Sequence, residues 1–230
     1  MKNILLIYGH ALSRCALKAL LGNDPGLHLA AEVASVRAAK LSMRQHAYDA
    51  VILDVSAAET NGLELFCDLR QACADLPILI VNGSEHADRM LHFMRLGCAG
   101  YLPYSADSAQ LLPAIHTITR GRRYVLPQHQ TLLESSPKPL LSESRHLPHD
   151  HLSLRELQVF FKLIKGQAIS AIAAELAITP GSVSVFRSKI LKKMGLANNT
   201  ALIHYALQSK LVLVTAVTHH LSTAIDAASP

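Results

Sequence analysis

The stretch "YDAVILDVSAAETNGLELF", residues 48–66, places a single carboxylate, Asp54, at the end of a short apolar run. Short aliphatic or β-branched runs bounded by turn residues are typical of buried β-strands. A loop follows Asp54, and the pattern from Gly62 onward is that of a helix. The stretch therefore predicts a strand, a loop and a helix, with a carboxylate at the carboxyl end of the strand.

The same pattern recurs along the first 124 residues, where apolar runs alternate with helical segments. The predicted strands are 3–8, 27–34, 50–55, 77–81 and 99–103, and the predicted helices are 11–22, 36–46, 62–74, 86–96 and 107–120. Strands that are apolar on both sides and alternate with helices indicate an α/β domain with a parallel, doubly wound sheet of five strands. The functional crevice of such a sheet lies beyond the carboxyl ends of its strands, where Asp54 is expected.

The segment 125–150 is rich in proline, serine and histidine and has no sustained periodicity. It is predicted to be a linker, with one helical turn near 131–134. His146, His149 and His151 beside Asp150 could hold a metal ion, but no cysteine or helical framework accompanies them, so a solvated hinge is favoured. No metal site and no cofactor is predicted.

Residues 151–212 have a helical pattern throughout, with helices predicted at 153–165, 169–176, 180–194 and 199–209. Gly166 suits the end of the first helix, and Thr179 followed by Pro180 suits the start of the third. A short helix, a turn and a longer helix that carries many cations indicate an all-α helix-turn-helix domain. The tail, 213–230, begins apolar and ends in small residues, and no chemistry is assigned to it.

The charge of the chain is concentrated in this third part. The 230 residues carry a net charge of +5, with a pI near 9.1. Between 152 and 212 there are eight lysines and arginines against only Glu156 and Glu175. A nucleic-acid surface is therefore expected here rather than in the first 124 residues.

The remaining composition indicates a cytoplasmic protein without a membrane partner. None of the four cysteines has the spacing of a C-x-x-C pair, so free thiols in a reducing compartment are expected. The apolar run near the N-terminus stops at Gly9 and His10 without a small-residue cleavage site, which argues against a signal peptide. No apolar stretch approaches the length of roughly 18 residues needed to span a bilayer.

The sequence "LSLRELQVFFKLIKGQAISAIAAELAITPGSVSVFRSKILKKMGL", 152–196, resembles the DNA-binding domain of the LuxR-type regulators of the NarL/FixJ group. The matching residues are Leu152, Ser153, Arg155, Glu156, Val159, Gly166, Ile172, Ala173, Leu176, Ile178, Val183, Ile190, Lys193 and Gly195. This resemblance implies a transcription regulator that binds double-stranded DNA. It also implies a homodimer formed through the last helix, where Leu202, Tyr205, Ala206 and Leu207 form an apolar stripe.

The resemblance also assigns roles along the second helix of the motif. Ser184, Val185 and Ser188 occupy the positions that reach bases in the family, and Thr179 and Ser182 lie at the start of the same helix. The cations suited to phosphate contacts are Arg187, Lys189, Lys192 and Lys193. A small core is expected from Ile172, Leu176, Val183, Ile190 and Met194.

The first 124 residues resemble a CheY-like response-regulator receiver domain, with Asp54 at the phosphorylation position. Phosphoryl transfer to this aspartate requires a divalent cation, carboxylates that hold it and donors for the phosphoryl oxygens. Tyr8 and Gly9 stand where the family has an acidic pair, Asn82 where it has threonine or serine, and Tyr104 where it has lysine. The chain is therefore interpreted as a regulator with a degenerate pseudo-receiver domain that works without phosphorylation.

Three alternatives remain open. The chain could be a conventional two-component regulator phosphorylated on Asp54, or a non-DNA-binding antagonist of other regulators, because Ser184 and Phe186 replace lysine or histidine of the family. An enzyme that uses Tyr8 and His10 as an acid/base pair is disfavoured, since the loop after the first strand is not glycine-rich. If the receiver crevice no longer accepts phosphate, a regulatory protein or a small-molecule ligand is a possible occupant.

Overall fold

The structure is a computed structural model that describes residues 1–8, 11–56, 62–134, 147–209 and 211. These residues form two compact units. The first unit comprises 1–8, 11–56 and 68–134, and the second comprises 62–67, 147–209 and 211.

One parallel sheet of five strands organises the first unit. The strands are β1 (Lys2–Ile7), β2 (Leu27–Val33), β3 (Ala50–Asp54), β4 (Ile78–Gly83) and β5 (Gly100–Pro103), in the spatial order β2-β1-β3-β4-β5. The intervening helices are α1 (Ala11–Gly22), α2 (Val36–Gln45), α3 (Gly62–Ala72), α4 (Ala87–Arg95) and α5 (Ser108–Ile118). The predicted doubly wound α/β fold is confirmed.

The register of the sheet brings the expected crevice residues to one edge. Ile7 of β1 lies opposite Leu53 of β3, and Asp54 lies opposite Val81 of β4. All five residues of β3 are buried. Because this central strand is covered on both faces, its sequence is continuously apolar until Asp54, and the carboxylate is carried into the protein interior.

The first unit continues beyond the predicted boundary at residue 124. Tyr124 forms an isolated bridge with Gly100 of β5, and Val125 and Leu126 are buried. A helix, α6 (Pro127–Glu134), follows where only one turn was predicted. The boundary at 124 was placed too early because these two apolar residues, which pack on the sheet, stand at the start of a polar segment.

Besides residues 62–67 at the start of α3, four helices belong to the second unit. They are α7 (Leu154–Ile164), α8 (Ile169–Glu175), α9 (Pro180–Met194) and α10 (Asn199–Gln208), preceded by a 3-10 turn, Pro148–His151. Gly166 and Gly195 adopt φ angles of +75° and +66° just after α7 and α9, a conformation that favours glycine at the end of a helix. The predicted core residues Ile172, Leu176, Val183, Ile190 and Met194 are all buried.

A search of the described residues finds no single helix long and apolar enough to cross a membrane. Only α8 and α9 taken together have the required length and composition, and they are bent by 107°.

Gly83 provides a test of the packing at the end of β4. A Cβ atom at this position would overlap the ring of Tyr101, which is buried and donates a hydrogen bond to the Ser84 carbonyl (2.9 Å). We expect Gly83→Ala to lower the free energy of unfolding by about 1–3 kcal/mol, the usual effect of overpacking a core. Urea unfolding followed by circular dichroism measures the change.

The matched control is Gly22→Ala at the end of α1, where no atom lies within 4 Å of the added Cβ. It should change the free energy of unfolding by no more than about 0.5 kcal/mol. Equal unfolding midpoints for the two variants would contradict the packing described for Tyr101.

Candidate nucleic-acid interface and receiver-like crevice

Helices α8 and α9 have the geometry of a helix-turn-helix. The four residues 176–179 join them, and their axes are bent by 107°. DNA-binding motifs of this kind have crossing angles of about 90–120° and a turn of about three or four residues. Ala177 in this turn has a φ of +52°, a left-handed conformation that is unusual for a residue other than glycine.

The first residues of α9 are engaged in starting the helix. Thr179 Oγ1 accepts a hydrogen bond from the Ser182 amide (3.1 Å), and the two hydroxyl oxygens are 2.9 Å apart. Pro180, which lacks an amide hydrogen, occupies the first helical position. Thr179 is therefore the N-cap that the sequence predicts, and contacts of Thr179 and Ser182 with DNA remain a prediction.

The three predicted base-reading residues lie on the outward face of α9. Ser184, Val185 and Ser188 are exposed, and Val185 retains 54% of its accessible surface. Ser184 Oγ donates to the Pro180 carbonyl (3.2 Å), and Ser188 Oγ donates to the Ser184 carbonyl (3.1 Å). Both serine protons are thus directed at the helix backbone, while the oxygen lone pairs remain available as acceptors.

The four predicted phosphate-binding cations differ in their surroundings. Lys189 and Lys192 are exposed on α9. Arg187 is half-buried, and its Nε donates to Asn199 Oδ1 at the start of α10 (2.6 Å). Lys193 Nζ forms an ion pair with Glu156 Oε2 (2.6 Å). Arg187 and Lys193 therefore have structural partners, whereas Lys189 and Lys192 present their charge to solvent.

Glu156 links α7 to the end of α9. Only 4% of its surface is exposed, and its Oε2 accepts hydrogen bonds from the Ser153 amide (2.8 Å) and from Lys193. Burial tends to raise the pKa of this carboxyl, but the bonds from Lys193 and Ser153 outweigh it, and the net pKa lies below the ordinary value. The pair therefore fixes the carboxyl end of α9 against the start of α7.

The apolar stripe predicted to form a dimer is used largely within the protomer. Leu202 and Ala206 are buried in the second unit. The Tyr205 hydroxyl lies 2.7 Å from His149 Nδ1, and burial raises the pKa of Tyr205. Leu207, the fourth residue of the stripe, is partly exposed. A dimer through α10 therefore remains a prediction, with less apolar surface than the sequence suggested.

One histidine of the cluster in the linker, His149, does not belong to a solvated hinge. His149 is fully buried against Tyr205. His146 lies outside the described residues. Within the part of the chain that the structure describes, no group of three or more histidine, cysteine, aspartate and glutamate residues is arranged to hold a metal ion.

Asp54 lies at the bottom of the crevice formed by the carboxyl ends of the strands. It is 1% exposed, and its Oδ1 accepts hydrogen bonds from the Ser56 amide (2.9 Å) and from Asn82 Nδ2 (3.0 Å). Asn82 has a φ of +55°, a left-handed conformation that asparagine tolerates better than most residues. Asn82, which stands at the family's threonine or serine position, thus donates to the aspartate itself.

Tyr8 directly follows β1, the strand next to β3, at a position where the family resemblance places a carboxylate. It is half-buried against the core of the sheet. The guanidinium carbon of Arg14 lies 5.2 Å from the centre of its ring, within the range of a cation–π contact. Tyr8 therefore brings a neutral ring with a neighbouring cation, and no carboxylate, to the end of β1.

Tyr104, which the resemblance places at the family's lysine position, turns its side chain to solvent rather than toward Asp54. Its side chain is 70% exposed, and only its backbone is fixed, by a hydrogen bond from its amide to the Gly83 carbonyl (2.9 Å). Gly9 and His10 lie outside the described residues. Tyr8, Asp54 and Asn82 are therefore the predicted crevice residues that the structure brings together.

Comparisons with known proteins agree with both halves of this description. Residues 150–206 match the family model for bacterial regulatory proteins of the luxR family, and residues 4–116 match the model for the response regulator receiver domain. The transcriptional regulatory protein UhpA of Salmonella typhimurium is 30% identical over 204 residues, which cover 89% of this chain and 97% of UhpA. The chain belongs to the LuxR-type response regulators.

Further relatives of this family extend over nearly the whole chain. The response regulator UvrY of Escherichia coli is 28% identical over 214 residues, which cover 92% of this chain and 96% of UvrY. A structure described as two RcsB dimers bound to two parallel DNAs shares the fold with a TM-score of 0.52 at 17% identity, covering 89% of this chain and 96% of that one. This LuxR-type regulator is thus a DNA-binding transcription regulator of the two-component class.

Three residues of this regulator escaped the sequence analysis. Arg14, Glu156 and Asn199 were assigned no site role, yet each one contacts a predicted site residue, Tyr8, Lys193 or Arg187 respectively. Glu156 carried a usable signal, because Ser153 and Glu156 have the spacing of a capping box. The other two have no signal in the linear sequence, since their contacts depend on packing between elements.

The ion pair of Lys193 predicts that two adjacent lysines contribute differently to the free energy of unfolding. Lys193→Met should lower the free energy of unfolding by about 1–2 kcal/mol, because it leaves the buried Glu156 without its cation. Lys192→Met, its matched control, should change it by no more than about 0.5 kcal/mol. Urea unfolding at neutral pH measures both values.

The effect of Lys193→Met should depend on pH. The folded-state pKa of Glu156 lies below its unfolded value, so the ionised carboxylate stabilises the fold fully above the unfolded pKa. This contribution is lost as the pH falls through the folded-state pKa, and the difference between Lys193→Met and wild type should shrink there. A difference that stays constant over the acid range would contradict the assigned ion pair.

Proposed function

We propose that this regulator binds its operator through the outward face of α9 and does so without phosphorylation of Asp54. The exposed Ser184, Val185, Ser188, Lys189 and Lys192 supply the proposed contacts. A helix fits the major groove, where base edges differ in donors, acceptors and methyl groups. The observation that supports the second half of the proposal is that Tyr8, with Arg14 against its ring, follows the strand beside β3, which ends at Asp54.

The electrostatics of the crevice oppose a divalent cation. Mg²⁺ is usually bound through one or two carboxylates together with phosphate oxygens. Asp54 supplies one carboxylate here. The guanidinium carbon of Arg14 lies 5.2 Å from the ring centre of Tyr8, which follows the strand paired with β3. Since like charges repel, the arginine raises the cost of placing Mg²⁺ there. A weakly bound cation would leave the transferring phosphoryl group without charge neutralisation.

The hydrogen bonds at Asp54 also support a fixed crevice. Asn82 and the Ser56 amide both donate to Oδ1. The bond from Asn82 joins β4 to the end of β3, and the Ser56 amide, which follows β3, fixes the same oxygen. A signal that acts on this unit would then have to come from another source, and a regulatory protein or a small-molecule ligand at the crevice is our proposal for it.

The conventional alternative, phosphorylation of Asp54, is favoured by one observation. Asp54 retains the position at the carboxyl end of β3 that the receiver family uses. An enzymatic role finds no support among the relatives, which are described as regulators. If the chain is instead an antagonist that does not bind DNA, it should have no affinity for an operator. Direct binding measurements test this.

Asp54 gives the first test of the proposal. We expect wild type and Asp54→Asn to bind a selected operator with the same affinity, because the asparagine oxygen still accepts from Ser56 and Asn82. Incubation of wild type with acetyl phosphate and Mg²⁺ should leave Asp54 unlabelled, as read by intact-protein mass spectrometry. Stoichiometric labelling that Asp54→Asn abolishes, together with tighter operator binding, would establish the conventional alternative instead.

The second test addresses phosphate contacts on α9. Lys192→Gln should reduce the slope of log affinity against log salt concentration by about one, as expected for the loss of one phosphate contact. Lys193→Gln should reduce the slope less, because its charge is paired with Glu156. Fluorescence anisotropy over a salt series measures both slopes. Equal slopes for Lys192→Gln and wild type would contradict a phosphate contact at this lysine.

We extend the homodimer prediction to the DNA complex, following the RcsB dimers described on DNA. Two subunits should protect two half-sites one helical turn of DNA apart, or a multiple of it. A footprint confined to one half-site, with a monomer mass in sedimentation at the same protein concentration, would argue against the dimer.

A further inference from the structure

The first unit contains a cavity of about 240 Å³ at the edge of the sheet opposite to Asp54. Its walls include residues 75–77, which precede β4, residues 97–99, which precede β5, and residues 121–123 beyond α5. The strands of the sheet are parallel, so the residues before β4 and β5 lie at its amino edge, whereas Asp54 ends a strand at its carboxyl edge. The cavity is therefore separate from the crevice at Asp54.

Arg70 fixes two walls of the cavity. Its Nη1 donates to the carbonyls of Ala74 (2.8 Å) and Leu76 (3.1 Å), and its Nη2 donates to the Gly97 carbonyl (2.6 Å). These carbonyls are neutral, so the bonds hold the guanidinium in place without cancelling its charge. The segments before β4 and β5 are thus tied to each other before any ligand binds.

The turn after α5 is fixed by its backbone. Gly121 has a φ of +76°, and the Arg122 amide donates to the Thr117 carbonyl (3.2 Å), as at a helix end closed by glycine. Tyr124, two residues further on, is paired with β5 through an isolated bridge. The backbone of Arg122 and Arg123 is therefore held between a helix end and a strand, while both residues remain exposed.

The charges around the cavity favour an anion. Three arginines line it, Arg70, Arg122 and Arg123, and Asp75 is the one carboxylate among the lining residues. The ion pairs between described residues include none that joins Asp75 to Arg122 or Arg123. Burial raises the pKa of the Cys98 thiol, which also lines the cavity, to about 12, and the charges of Arg70 and Arg123 act against this rise. The charges of two guanidiniums therefore converge on the same wall.

We propose that this cavity binds a small molecule that carries a phosphate or pyrophosphate group, which Arg122 and Arg123 contact. A guanidinium matches phosphate oxygens with two parallel hydrogen bonds. The excess of arginines over carboxylates suits a group with more than one negative charge. The cavity is smaller than the range of about 300–1,000 Å³ typical of sites for drug-sized ligands, which favours a small anion. This site goes beyond the proposed function and depends neither on Asp54 nor on α9.

Calorimetric titration of the full-length protein with pyrophosphate, at low salt and without Mg²⁺, tests the site. We expect one saturable site per chain, for which inorganic phosphate competes. Arg122→Gln and Arg123→Gln should each weaken the affinity by about tenfold or more, as expected for the loss of a charge-assisted hydrogen bond. Both side chains are exposed, so the urea midpoints of the two variants without ligand should equal that of wild type.

Two control variants locate the bound anion. Arg120 is exposed in the same turn but does not line the cavity, so Arg120→Gln should retain the wild-type affinity for pyrophosphate. Lys192→Gln removes a cation from α9 instead and should retain it as well. Loss of affinity in Lys192→Gln would place the anion on α9 and overturn the cavity site.

Other outcomes would also overturn the proposal. One is the absence of saturable binding by wild type, and another is an unchanged affinity in both Arg122→Gln and Arg123→Gln. If Arg120→Gln weakens binding as much as these variants do, the basic turn attracts anions without a defined site. If pyrophosphate does not bind but Arg122→Gln and Arg123→Gln lower the salt slope of operator binding, the turn contacts the DNA backbone instead.

Discussion

A carboxylate cannot be buried at the end of β3 without hydrogen-bond donors, and the crevice of this regulator is built around that constraint. An ionised group removed from water is costly unless its lone pairs are satisfied. Asp54 meets the constraint at one oxygen: Oδ1 accepts from a backbone amide of its own strand end and from the side-chain amide of Asn82, whereas Oδ2 is buried without a hydrogen-bond partner among the described residues. The left-handed backbone at Asn82 turns the end of β4 so that this amide is available. The bond between Asn82 and Asp54 thus joins β4 to the end of β3.

The four cations of α9 fall into two groups. Arg187 and Lys193 hold α9 against α10 and α7 through Asn199 and Glu156. Lys189 and Lys192 have no such partner in the hydrogen bonds and ion pairs described, and they remain exposed. If Lys189 and Lys192 contact the DNA backbone as we propose, one basic segment both fixes the helix and attracts the polyanion.

The sequence predicted the architecture well because burial of the sheet on both faces gives an apolar pattern from which the strands and helices can be recognised. All five strands and all nine predicted helices are present, with ends shifted by up to two residues. The partners of the site residues could not be predicted in the same way. Asn199 lies 12 residues beyond Arg187, and Glu156 lies 37 residues before Lys193. Only the packing of helices brings such pairs together, and no periodicity in the sequence indicates these contacts.

Tyr104 shows a second limit of prediction. Alignment with the receiver family assigns a position to a residue but not a direction to its side chain. The amide of Tyr104 is held by the Gly83 carbonyl, whereas its ring extends into solvent. The side chain at the position that carries lysine in the family therefore extends into solvent, and Arg14 on α1 places a cation against the ring of Tyr8. Loss of one cation and gain of another at a different place would not be visible in an alignment.

The turn between α8 and α9 connects stability to the reading of DNA. A left-handed alanine costs of the order of 1–2 kcal/mol relative to the right-handed conformation. Ala177 is held in this state because the Ile178 amide donates to the Ala173 carbonyl (2.9 Å) and Arg155 Nη2 donates to the Leu176 carbonyl (2.7 Å). These bonds fix the bend of 107° and with it the direction of the exposed face of α9. Arg155, which contacts no predicted DNA-binding residue, therefore helps to determine where Val185 is presented.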